Sequence, residues 1–205
     1  MRCIPLSRNL SNCVWNQALC REFDLERFKN HIQELFFKND KDGFYSWNGL
    51  RYFLYEYELY LQDNANPKVG WEDFRKRTKE DTIEHIYPQS ATDMYWKDRF
   101  SHLKPTEKRV YLNSLGNLLL LSRSKNSKLQ NYDFEKKKCL KNKDGKDIGY
   151  YNGSYSEIEV SKQNEWTAET IKERGLSMLQ FMEERWKFKF KDWEIEKEEI
   201  LFPSK

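Results

Sequence analysis

A mainly helical α+β domain, with amphipathic helices at both ends and a small unit of two strands and a helix between them, is the fold class that this chain predicts. Three observations carry it. Apolar residues recur at steps of three and four over residues 23–38, 47–62 and 167–190, which marks one buried face on each of three helices. Only Thr82–Ile86 and Leu118–Leu121 read as strands, and both are short. The second strand runs straight into a polar segment with Ser at positions 122 and 124, a helix start. With 205 residues, the chain is expected to form one compact unit, with a helical subregion at 1–75, a central core at 76–145 and a long-helix subregion at 146–205.

The first helix, Phe23 to Lys38, places Leu25, Phe28, Ile32, Leu35 and Phe36 on one face, with Asp24 as N-cap. Asn39 to Gly43 is a turn cluster; it lacks the length and downstream carboxylates of a calcium loop. The second helix, Trp47 to Gln62, lines up Leu50, Phe53, Leu54, Tyr57, Tyr60 and Leu61, and Asp63 to Gly70, with its Asn-Pro step, breaks it. Trp71 to Lys79 is read as an extended approach to the first strand, which Pro88 terminates because proline cannot donate to a ladder. Met94–Leu103 and Thr106–Ser114 follow as short helices, then a Gly-Asn turn, the leucine strand, a polar helix near Ser124–Gln130 and a helix at Phe134–Leu140. Lys141 to Gly153 is rich in Lys, Asn, Asp and Gly and is expected to be the most exposed loop. The closing helix, Thr167 to Phe190, carries Ile171, Gly175, Leu179, Met182, Trp186 and Phe190 as a stripe. The Glu/Lys-rich end from Trp193 to Lys205 is expected to fray or dock weakly.

Composition limits the functions. The net charge is only +3, so no basic tail binds nucleic acid by charge alone, and any such contact must come from local patches. The candidates are Lys104, Lys108 and Arg109, then Arg123, Lys125 and Lys128, then Lys136, Lys137, Lys138, Lys141 and Lys143. Cys3, Cys13, Cys20 and Cys139 form no Cys-x-x-Cys pair and no Cys/His set at zinc-ligand spacing; no structural zinc is expected, and the thiols are read as reduced in a cytoplasmic protein. No apolar run is long enough to span a membrane, and Met1 to Cys20 lacks a signal-peptide core. No Gly-x-x-x-x-Gly-Lys-Ser/Thr loop is present, so this chain alone is not expected to be gated by a nucleotide.

The chemistry concentrates at Asp81–Gln89 and Leu115–Asn131. Glu84 and His85 stand side by side at the end of a β-branched run, and Asn126 lies on the polar helix. Hydrolysing a phosphodiester needs a base for water and a cation for the charge that builds on phosphate. His85 suits the first role; Glu84 and Asn126 are oxygen donors suited to a hard divalent ion. Neighbours on a strand point to opposite faces, so Glu84 and His85 share a site only if the strand twists or ends there. A histidine met in isolation is more often structural, as His31 and His102 are read here, and the pattern around His85 is what favours chemistry.

Ile83-Glu84-His85-Ile86 with Pro88-Gln89, then Leu115-Gly116-Asn117-Leu118 with Leu120-Leu121, then Asn126-Ser127-Lys128-Leu129 with Asn131, Phe134 and Lys137, resemble the C-terminal domain of GmrSD-type, modification-dependent restriction enzymes. Arg51-Tyr52-x-Leu54 and Trp166-Thr167-x-x-Thr170-Ile171-x-x-Arg174 resemble that family's early and closing helices, so the resemblance spans about Phe23 to Trp186. It implies a ββα-metal core of the HNH, or His-Me finger, type. It also implies a nuclease acting on DNA in restriction or anti-phage defence, with magnesium or manganese as cofactor. By that resemblance His85 is the general base, Asn117 the loop-ordering member of the catalytic set, and Glu84 and Asn126 are metal ligands. Arg123, Lys125, Lys128 and Lys137 are the expected phosphate contacts. A partner protein or fused sensor domain that hydrolyses nucleotide is implied outside these residues. An RNase using the same site, and a non-catalytic nucleic-acid-binding subunit, are the alternatives.

Overall fold

The computed structural model describes residues 23–38, 41–62 and 81–204. The expected break at Asp63–Gly70, the extended approach at Trp71–Lys79, part of the Asn39–Gly43 turn and the three N-terminal cysteines lie outside them. Helix α1 (Leu25–Phe37) starts where expected, with the Asp24 carboxylate accepting from the Arg27 N–H. A 3₁₀ turn (Gly43–Ser46) leads to α2 (Leu50–Gln62). Strand β1 (Asp81–His85) is followed by α3 (Met94–Phe100) and α4 (Pro105–Asn113). A 3₁₀ turn (Leu115–Asn117) then opens into β2 (Leu118–Ser122). Next come α5 (Arg123–Leu129), α6 (Phe134–Cys139), α7 (Tyr155–Ser161), α8 (Ala168–Trp186) and α9 (Trp193–Leu201).

β1 and β2 form an antiparallel two-strand sheet, with Thr82 opposite Leu121, Glu84 opposite Leu119 and His85 opposite Leu118. This sheet is a middle layer. Leu118 belongs to a core built from Phe28, Ile32, Phe53, Leu54, Leu179 and Met182. Leu119 and Leu121 belong to a second core, with Ile86, Trp96, Phe134, Tyr150, Trp166 and Ile171. Burial on both faces explains why β2 is an unbroken leucine run and does not alternate.

α8 fastens the two cores together. The Arg174 guanidinium donates from Nη1 to the Gly116 and Leu118 carbonyls at 2.8 and 3.0 Å, and from Nε to Glu159 at 3.0 Å. The helix approaches so closely that a Cβ on Gly116 would lie 2.0 Å from the Ile171 carbonyl oxygen. The glycine is therefore needed for proximity; neither it nor Asn117 adopts a positive φ.

Three expectations change. α8 ends at Trp186, where Lys187 takes a left-handed conformation, so Phe190 is buried from the segment beyond the helix. The C-terminal stretch docks firmly: Ile200 and Leu201 are fully buried, and Lys197 forms a buried ion pair with Glu183 at 2.6 Å. The Lys141–Gly153 segment is exposed except around Gly149 and Tyr150. The Ile148 and Gly149 N–H groups both donate to the Leu140 carbonyl, and Tyr150 is fully buried. The helix after it, α7, is too short to announce itself by periodicity, although Ser154 and Glu157 form a capping box at its start.

Candidate active site at the strand end

The register decides which way each candidate faces. His85, paired with Leu118, looks towards the first core; Glu84, paired with Leu119, looks towards the second. The strand does end at His85, but the two side chains remain on opposite faces and share no hydrogen-bond partner among the described residues.

His85 is 6% exposed. Its Nε2 lies 3.1 Å from Asn113 Oδ1, while the Asn113 amide nitrogen donates to the Arg109 carbonyl. Asn113 thus presents an acceptor, which assigns the imidazole proton to Nε2 and leaves Nδ1 bare. The half-exposed Tyr45 ring covers the imidazole, with centroids 4.5 Å apart. The His85 pKa is lowered to about 4, chiefly by burial and in part by the Lys137 charge, with the Asn113 bond and Asp42 opposing. The ring is neutral at pH 7. Asp42 and Arg109 form an ion pair at 3.4 Å on the same side of the sheet, and Arg109 also donates to the Lys41 carbonyl.

On the other face, Glu84 is buried against Lys137, whose ammonium donates to Glu84 Oε1 at 2.6 Å, the Ile86 carbonyl at 3.1 Å and the His85 carbonyl at 3.3 Å. The buried Tyr150 hydroxyl donates to the same Oε1 at 3.5 Å. Burial pushes the Glu84 carboxyl above its ordinary range, and the Lys137 ammonium opposes that shift. Asn126, on α5, donates from Nδ2 to Thr82 Oγ1 at 2.8 Å, which puts it on the Glu84 side of the sheet.

Asn117 uses its whole amide. Oδ1 accepts from the Tyr87 N–H at 2.7 Å and Trp166 Nε1 at 3.1 Å, and Nδ2 donates to the Tyr87 and Leu112 carbonyls at 3.0 and 2.8 Å. With its donors and acceptor sites committed, it positions the segment that follows His85 and has no capacity left for substrate.

Among the expected phosphate contacts, Arg123 and Lys128 are exposed on α5. Lys125 is instead paired with the buried Glu157, and Lys137 is wholly buried, so both charges are engaged by carboxylates of the domain. A lysine run gives no sign of which member turns inwards, so in the sequence both look like surface cations.

A family model for the C-terminal domain of GmrSD restriction endonucleases matches residues 26–181. The chain belongs to that family. No curated protein and no solved structure matches it. The matched span of this GmrSD C-terminal domain contains every candidate residue described above.

The divalent ion expected at Glu84 and Asn126 does not fit these residues as they stand. The carboxylate that would carry most of the binding already holds an ammonium on Oε1, and a divalent ion beside that ammonium would be repelled. Among the described residues, no group of three or more His, Cys, Asp or Glu could hold a metal. Sequence reasoning missed Asn113 and Tyr150. Asn113 stands four residues before Asn117, and nothing in that spacing shows that its amide folds back onto His85.

Proposed function

We propose that this domain is an HNH-type endonuclease that hydrolyses DNA phosphodiesters in restriction of foreign DNA, with His85 as general base. The observation that supports it best is the state of His85: a neutral imidazole, its Nε2–H anchored on Asn113 and its Nδ1 bare. A histidine with one nitrogen held and the other unprotonated is in the form a base requires, and an anionic phosphate beside Nδ1 would raise the pKa that burial has lowered. Nδ1 accepts a proton from water, the hydroxide oxygen bonds to phosphorus, and the bond from phosphorus to the 3′ oxygen breaks, its electron pair leaving with that oxygen, which takes a proton from water to become a 3′ hydroxyl. Asn113 steadies the imidazolium by accepting from Nε2–H throughout. Asn117 holds the backbone after the base through Tyr87.

Arg123 and Lys128, exposed on α5, are assigned to backbone phosphates, which position DNA without reading sequence. Recognition of modified DNA is assigned to a partner or sensor domain. A cytoplasmic setting is part of the reading: Cys139 is a free thiol, and no helix among the described residues is long and apolar enough to cross a membrane.

The test is incubation of purified protein with plasmid DNA and with a matched RNA, in magnesium, manganese or EDTA, for wild type and His85→Ala. Magnesium or manganese is the expected requirement, and EDTA measures it directly. Removing the base should slow cleavage by about 10²–10⁴-fold while DNA affinity is kept. Undiminished cleavage by a folded His85→Ala protein refutes the mechanism, and cleavage of RNA alone changes the substrate.

A further inference from the structure

Glu84 has the residue type and position expected of a metal ligand, yet the structure surrounds it with protein donors. The Lys137 ammonium meets three acceptors, Glu84 Oε1 and the His85 and Ile86 carbonyls, which satisfies its three N–H donors. Neither partner reaches solvent: Lys137 is 0% and Glu84 6% exposed. The Tyr150 hydroxyl adds a further donor to the same carboxylate oxygen, and the Trp96 ring lies 5.9 Å from the ammonium. An oxygen-lined cage of one carboxylate and two backbone carbonyls is what a hard cation would be offered. Here a side chain of the same domain fills it.

We propose that Lys137 is the resident cation of this site: its ammonium takes the place at Glu84 that a divalent ion was expected to occupy, and it positions the strand end that carries His85. The inference deepens the proposed function and rests on it for the identity of the base. Lys137 is a positioning residue. It binds the carbonyl of the base's own residue and that of the next, so the backbone at His85 is held from below by a charge and from beyond by Asn117. Glu84 is then the counter-ion of Lys137, and any divalent ion that this domain uses is bound through other groups.

The experiment is Mn2+ binding, measured by calorimetry without DNA, on wild type, Glu84→Gln, Lys137→Met and the double variant. Wild type and Glu84→Gln should bind Mn2+ alike. Lys137→Met, which leaves the carboxylate cage without its cation, should gain Mn2+ affinity by about tenfold or more, and the double variant should lose that gain. A fall of about tenfold between wild type and Glu84→Gln overturns the proposal, because Glu84 would then be a native metal ligand. So does a folded Lys137→Met protein that gains nothing. If a single variant fails to fold, the double variant, which removes both charges together, still decides: equal Mn2+ binding to wild type supports the proposal and a loss overturns it. Cleavage by His85→Ala is a separate readout, so failure here leaves the nuclease reading standing or falling by its own test.

Discussion

Acid should destabilise this domain through His85 in a window that can be isolated by mutation. The folded-state pKa is lowered to about 4 from an ordinary 6.5, chiefly by burial. Below pH 6.5 the unfolded chain takes up a proton at this residue, whereas the folded chain does so only near pH 4. The unfolded state therefore binds more protons across this window, and stability rises with pH through it. A separation of about 2.5 pH units corresponds to about 3 kcal/mol. The assay is urea unfolding of wild type and His85→Gln at pH 7, 6, 5 and 4. Carboxylates titrate in both proteins and cancel in the difference. The wild-type advantage should shrink by up to about 3 kcal/mol between pH 7 and pH 4, a shift of about 1–3 M in the relative urea midpoint for ordinary slopes. Between pH 7 and 8 the difference should be flat. Parallel stability curves for the two proteins would refute the assignment of a buried, neutral imidazole, and with it the support for His85 as base.

Lys137→Met alone leaves the Glu84 carboxylate buried without its cation and should cost about 3–5 kcal/mol, whereas adding Glu84→Gln should recover most of the loss; thermal melts of the three proteins check this. Gly116→Ala forces a Cβ onto the Ile171 carbonyl and the Gly175 nitrogen, backbone atoms that cannot rotate away, and should lower stability by about 1–3 kcal/mol or more in the same melts. Changing Arg123 and Lys128 to Gln should weaken binding to unrelated DNA duplexes about equally and reduce the salt slope by about one for each phosphate no longer neutralised. Lys125→Gln, whose charge is spent on Glu157, should leave that slope unchanged.

The helical class, both strands and the order of the elements other than α7 and α9 were legible because each rests on local periodicity or on a cap: Asp24, Ser122 and Thr167 all accept from the helices they precede. The direction of the candidate side chains was half legible. Alternation along β1 does separate Glu84 from His85, but only the pairing with Leu119 and Leu118 shows which core each faces. The partners were not legible. Asn113 reaches His85 across 28 residues and Lys137 reaches Glu84 across 53, and single-sequence spacing carries no such distances. The docking of α9 escaped for a related reason. Its Glu/Lys-rich composition hides Ile200 and Leu201, and Gly175 on α8 is what leaves room for Leu201.

The Asn117 hub has a consequence for when activity can arise. Its four bonds draw on Tyr87, Leu112 and Trp166, and the last of these lies 49 residues downstream of the asparagine. A ribosome delivers the chain from its N-terminus, so the strand, His85 and its Asn113 anchor all emerge before the indole that completes the hub. Until Trp166 and the helix behind it are out, the loop after His85 has one of its fastenings missing and Arg174 cannot grip the turn before β2. A nascent chain would carry His85 for some time without the contacts that organise the strand end around it. On the proposed reading, a nuclease made next to its own cell's messages and chromosome becomes competent only once Trp166 and Arg174 have left the ribosome.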